Sequence, residues 1–457
     1  MVASIFLIAV ILILGQVFSS LFEKTRIPDV LPLMLLGFML GPVLKLVAPD
    51  SMGSVDVIFT EIVLIVILFQ TGFNFRFSYL RDSFWAGLGF TVPYIILSTG
   101  VLYLLSYHVL KLPFIYSIAM AFILADTSLV VLVPILAKLN ITQETRSILT
   151  IETTLESIIC VVVALAVINM AGQAEFSAKG IFIKIFYSFI MASIVGIAAG
   201  IFWSAILKYI RKLENSTALT FAFVLLVYTL SEWIGSKGAI GVLMFGLIVG
   251  NIRVLNVIIG RKFKFSTDAF KGTEKSFFTE IEFIFKTLFF VYMGLSMYMQ
   301  NTRFILCGLL LALAKIFSRY IVVQYCTPKR VNRRDAATIL AMCPNGLVSA
   351  VLAATAGAQM GGQNGIQDTA YSVIFFSLII TSILSFFIEK GYVDGAANIM
   401  FYRHDPIPQE EKPAQETPEG TEPENTNHPS EEEHPQENNA QPQQHAEQID
   451  QLPEQQS

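Results

Sequence analysis

The sequence predicts an all-α polytopic membrane protein of about 13 transmembrane helices, built as inverted repeats with two broken helices crossing at the midplane. Three observations predict it. Of 457 residues, 54% are hydrophobic and 14% charged, against about a quarter charged in soluble proteins, and the mean hydropathy is +0.62. The apolar residues fall into runs of roughly 20, the length a helix needs to cross a bilayer. Two of those runs, seven spans apart, are interrupted by helix-breaking residues. Such a composition excludes cytosolic enzymes and nucleic-acid-binding proteins, and the long runs without period-2 alternation exclude a β-barrel.

Taken in order, the spans are expected near 2–21, 29–48, 54–73, 84–110, 113–138, 147–171, 180–207, 217–234, 238–258, 278–300, 303–326, 335–360 and 369–389. The first is apolar from the start, with no basic residue before Lys24, and reads as an uncleaved span. An odd number of spans puts the termini on opposite sides. The odd-numbered loops carry 18 Lys and Arg, from Lys24 and Arg26 to Arg333 and Arg334, and the even-numbered loops carry four: Lys111, Lys179, Lys237 and Arg303. Basic loops stay in the cytoplasm. The N-terminus is therefore expected outside and the C-terminus inside, in a cell membrane.

Beyond the last span the composition changes. From Asp405 to Ser457 there are 14 acidic residues, one lysine and nine prolines, leaving 30 basic and 21 acidic residues in 1–404. The expected division is a transmembrane domain over 1–400 and a disordered acidic Pro/Gln/Glu-rich tail over 401–457, with almost nothing to bury. The four cysteines form no C-x-x-C pair and read as small core residues. No nucleotide-binding glycine fingerprint is present, and no cofactor is expected.

Ionisable residues within the hydrocarbon are costly and concentrate at functional sites. Glu61, Glu232 and Glu280 lie toward span ends, and Glu282 and Lys286, four apart in span 10, could satisfy each other. Asp126, Glu156, Lys315 and Asn345 fall near the centres of spans 5, 6, 11 and 12. A buried ion pair that only holds helices together would not need the third charge. Spans 5 and 12 are also the broken ones, reading Asp126-Thr127-Ser128 and Cys343-Pro344-Asn345-Gly346. Interrupted helices are tolerated at membrane depth where they line a cavity, and a pair of them in corresponding halves points to a transporter's binding site.

At these residues the sequence resembles the cation/proton antiporter superfamily, the sodium/proton exchanger-like membrane domain, over about residues 3–390. Ile27-Pro28-Asp29 with Leu40-Gly41-Pro42, Leu68-Phe69 with Gly72-Phe73, and Phe289-Phe290-Val291 with Gly294 resemble its short signatures. Pro344-Asn345-Gly346-Leu347-Val348 is similar to its PRGLV broken helix, with Asn345 for arginine, and Asp126-Thr127 stands where the family has Thr-Asp. Arg146 and Glu152 match its R-S/T-L-L-x-x-E-S-x-L-N-D segment, in which the final Asn-Asp pair becomes Glu156-Ser157.

The resemblance implies a secondary-active antiporter for Na+ or K+ and protons, not an enzyme, working in the lipid bilayer by alternating access. It also implies a homodimer, no nucleic-acid partner, and no metal beyond the transported monovalent cation. Asp126, Thr127, Glu156, Ser157, Lys315 and Asn345 form the expected ion-binding and proton-coupling set, supported by Glu152, Arg146, Pro344 and Gly346. Glu156 and Lys315 are expected to pair when no cation is bound. Two other readings stay open: a K+ efflux channel-like pathway on the same scaffold, and a transport-inactive membrane scaffold.

Overall fold

A computed structural model describes residues 2–25, 28–47, 55–75, 80–170, 178–210, 216–252, 272–297, 302–360 and 365–405. All of these belong to one unit, Met1–Pro408. The tail beyond 405 and the basic 253–271 connection lie outside the described residues.

Each expected span is a helix. They are α1 (Val2–Thr25), α2 (Val30–Phe38, continued by a π-helical turn at Met39–Val43), α3 (Val55–Asn74), α4 (Leu80–His108), α5 (Phe114–Ala125) and α6 (Leu129–Lys138). There follow α7 (Gln143–Ile168), α8 (Ala178–Ile210), α9 (Ser216–Trp233), α10 (Gly238–Gly250), α11 (Gly272–Ser296) and α12 (Thr302–Cys326). The chain ends in α13 (Arg333–Ala341), α14 (Leu347–Gln359), α15 (Ile366–Glu389) and a short α16 (Asp394–Met400). Span 5 is thus α5 plus α6, and span 12 is α13 plus α14. Thr142 caps α7 and Asn332 caps α13, each accepting the backbone N–H three residues on.

The packing repeats itself. α2 lies on α11 as α10 lies on α3, and α4 on α7 as α12 lies on α15. The helices that correspond in each comparison are seven spans apart. The glycines give the register. A Cβ on Gly37 would strike the Val291 carbonyl and one on Gly294 the Met34 carbonyl; in the other seam Gly246 faces the Phe69 carbonyl and Gly72 the Leu243 carbonyl. These close backbone approaches are the usual device of helix packing in lipid, where apolar side chains gain little from each other's company.

Two layers result. α1, α2, α3, α8, α9, α10 and α11 form one, with its own aromatic core around Phe69, Phe245 and Trp203. α4 to α7 and α12 to α16 form the other. They meet chiefly where α14 lies on α3 and α11, α7 on α8, and α15 on α2.

Three of the five rim charges have clear partners, in one case differently from the expectation. Lys286 reaches Asp29 of the α2 entry at 2.7 Å rather than pairing with Glu282. The bond joins two helices, whereas an i, i+4 pair on α11 would join none. Glu61 accepts from the Tyr228 hydroxyl, and Glu232 from the Gly238 N–H at 2.7 Å.

Candidate ion-binding site

Both interrupted helices break where they touch. α5 stops at Ala125 and α6 starts at Leu129, with Ser128 accepting the Val131 N–H as its cap. α13 stops at Ala341 and α14 starts at Leu347. The Ser128 N–H donates to the Pro344 carbonyl at 2.8 Å, joining the two breaks. Gly346 is required there, since a Cβ would collide with the Ser128 hydroxyl.

A break leaves carbonyls without their helical donors. Here Asn345 and Lys315 supply them. Asn345 Nδ2 donates to the carbonyls of Leu124 and Asp126, both at 2.8 Å. Lys315 Nζ donates to the same Asp126 carbonyl at 2.8 Å and to Asn345 Oδ1 at 3.0 Å. The ammonium therefore sits at the C-terminal, electronegative end of α5. The Asp126 carboxylate takes the opposite post at the first turn of α14, where Ser349 Oγ donates to it at 3.0 Å, and Ser157 Oγ of α7 donates to its other oxygen at 2.6 Å. Each charge complements a helix dipole. A second serine meets the other break in the opposite role: Ser377 Oγ of α15 accepts the Asn345 N–H at 3.1 Å.

Asp126, Thr127, Glu156 and Asn345 are fully buried, and Lys315 and Ser157 nearly so. The expected Glu156–Lys315 ion pair is absent. Lys315 uses two of its three N–H donors on the orphaned Asp126 carbonyl and on Asn345, and it makes no ion pair with Glu156 among the described residues. No hydrogen bond of standard geometry reaches either carboxylate oxygen of Glu156 among the described residues, although the Thr127 hydroxyl is directed toward it. Glu156 is nonetheless close enough to Lys315 for the two charges to act on each other.

One turn away a different pair is made. Arg319 of α12 grips Glu152 of α7 at 2.7 and 2.9 Å, both side chains completely buried. Its Nε donates to the Ile339 carbonyl at 2.6 Å, and its guanidinium lies over Phe90 and Tyr94. A planar fork with an apolar platform is what arginine offers and lysine does not. Arg146 stands apart, donating to the Leu136 carbonyl near the C-terminal end of α6.

The profile of the family described as "Sodium/hydrogen exchanger, transmembrane" matches residues 6–390. The chain belongs to the sodium/hydrogen exchanger family. Na(+)/H(+) antiporter NhaS2 of Synechocystis sp. is 20% identical over 377 residues, covering 81% of this chain and 67% of the relative. Na(+)/H(+) antiporter 1 of Methanocaldococcus jannaschii is 24% identical over 362 residues, 76% of this chain and 82% of the relative. The solved structure of the sodium proton antiporter MjNhaP1 from the same organism has a TM-score of 0.68 at 21% identity, covering 84% of this chain and 99% of that one. That likeness establishes the fold.

Within this exchanger-family chain, sequence reasoning missed three residues that the crossing uses: Arg319, Ser349 and Ser377. Arg319 carried the signal that singled out Lys315, a cation inside an apolar span, one helical turn further on. Ser349 is likewise one turn beyond Asn345. Ser377 had no signal, since serines are common in membrane helices and many only bond their own backbone, as Ser382 does.

Proposed function

We propose that the chain is a secondary-active antiporter exchanging a monovalent cation, Na+ or K+, for protons by alternating access. The observation that carries the reading is the buried set of oxygens where the broken helices meet. In this reading the cation binds at Asp126, with Ser157, Ser349 and the freed carbonyls as neutral ligands. Glu156, fully buried and without an ion pair, is the group assigned the exchanged proton, because an unpaired carboxylate is expensive to keep charged in a dry site. Thr127 faces the same space, Lys315 holds the crossing together, and the layer containing α4 to α7 and α12 to α16 moves against the other. Glu152, Pro344 and Gly346 support the site, and Arg146 does so at a distance by holding the end of α6. The N-terminus is placed outside, the acidic tail in the cytoplasm, and the protein works as a homodimer in the cell membrane.

Purified protein in proteoliposomes holding an interior pH dye tests this. A cation gradient of Na+ or K+ should drive proton movement without an imposed voltage. Flux that follows voltage alone would favour a channel-like pathway, and no flux of either kind would favour a scaffold.

A further inference from the structure

After α15 the chain turns back through α16 and lies against the connection between α12 and α13. Arg333 N–H donates to the Asp405 carbonyl at 3.0 Å, and Asp405 N–H to the Lys329 carbonyl at 3.1 Å. Arg333 Nε donates to the His404 carbonyl at 3.1 Å and its Nη1 to Asn398 Oδ1 at 3.3 Å. The rings of Phe401 and Tyr320 of α12 stand 5.9 Å apart. Residues 401–405, which the sequence reading assigns to the tail, therefore pack against the helices.

This packing buries the imidazole of His404, 3% exposed, and no hydrogen bond of standard geometry reaches either ring nitrogen among the described residues. Gln324 Oε1 and Thr327 Oγ1, one and two turns beyond Tyr320, are also buried and unpartnered. The carbonyls of Val323 and Pro328 are directed toward the ring. Arg403 and Asp405 flank it within its own segment. Of the charged groups on neighbouring elements, Arg330 is held by Glu144, Asp335 by Thr142 and Thr145, and Arg334 by the Ile388 carbonyl with Asp394 at 3.9 Å. Lys329 lies on the α12–α13 connection and Arg333 opens α13. Burial, the largest effect, and Arg403 push the His404 pKa below its usual value, against the opposing pull of the two carbonyls and Asp405.

We infer that His404 is a second proton-binding site, separate from Asp126, at which acid releases the 394–405 segment from the α12–α13 connection. The docked ring takes up a proton less readily than the free one. Docking is therefore at full strength above the free ring's pKa of about 6.5 and is lost as the pH falls below it. The loss is up to about tenfold per pH unit until the docked ring is itself protonated. The segment braces the junction of α12, which carries Lys315 and Arg319, with α13, which runs into the second break.

Hydrogen exchange on the full-length protein in lipid nanodiscs, corrected for the intrinsic pH dependence of exchange, tests the inference at pH 7.5 and 5.5. Peptides covering 394–405 and 327–335 should lose protection several-fold on acidification. His404→Phe, which keeps a buried ring and cannot titrate, should hold protection constant; His404→Gln serves if the phenylalanine variant does not fold. Asp126→Asn should respond as wild type does. An unchanged acid response in the His404 variants, or none in wild type, overturns the inference. So does its disappearance in Asp126→Asn, which would place the effective proton at the transport site.

Discussion

Glu156 is the residue whose surroundings say most about what it can do. It is fully buried with no hydrogen bond of standard geometry to either oxygen among the described residues, while Lys315 nearby serves the Asp126 carbonyl and Asn345. Glu156→Gln should therefore abolish proton coupling in proteoliposomes yet leave the melting temperature unchanged or higher, since an amide is cheaper to bury than a lone carboxylate. A marked drop in melting temperature would show that the carboxylate is a structural partner after all. Asp126→Asn should reduce exchange to the level of empty vesicles while the purified protein elutes as a folded species; exchange at the wild-type rate would make Asp126 purely structural. Glu152 and Arg319 form the opposite case, a buried pair with good geometry. Removing either partner should cost about 3–5 kcal/mol, whereas Glu152→Gln with Arg319→Met should recover much of it. Additive losses in a thermal-shift series would refute the coupling. The charges of this site were visible in the sequence as ionisable residues inside apolar runs, but their partners were not. A carbonyl freed by a helix break has no letter of its own, and it was carbonyls that drew Lys315 away from Glu156.

Helix positions and both breaks were legible, because length and apolarity locate a span and Asp126-Thr127-Ser128 and Pro344-Asn345-Gly346 interrupt one. What escaped was the register between helices. The spacing Gly37/Gly41 in α2 recurs as Gly246/Gly250 in α10, and each pair sits against partner backbone. The repeat was printed in the sequence, but glycines are frequent in membrane helices and only the packed partner tells a seam from a filler. Gly37→Ala and Gly246→Ala should each cost about 1–3 kcal/mol through forced backbone separation. Gly89→Ala, where a Cβ meets nothing within 4 Å, should be neutral or stabilising. Melting temperatures in one detergent decide this, and a tolerated alanine at Gly246 would contradict the seam.

For the whole molecule, orientation is the prediction that composition supports most directly. A reporter active only in the cytoplasm should give signal when fused after Ser457 and none when inserted near Asn301; the reverse would overturn both the sidedness and the parity of the spans. Truncation belongs at the same scale. Stopping after Asp405 should leave proteoliposome exchange largely intact, whereas stopping after Met400 removes Phe401, His404 and the Asp405 bridge and should lower stability measurably. Equal behaviour of the two truncations would mean that the docked residues contribute nothing.

The recurrence of one seam in two halves bears on the resting state of the proposed exchange. If the halves were identical, opening to one side or the other would be the same conformation viewed from opposite faces, and the two would be equally populated. Any preference must come from residues that have no counterpart in the other half. Ser157 and Ser377 touch their two breaks from corresponding helices, but one donates to a carboxylate and the other accepts a backbone N–H. Glu156, Lys315 and the Glu152–Arg319 pair are not duplicated in that way, so the chemistry of the site and the choice of which side it faces at rest are carried by the same few side chains.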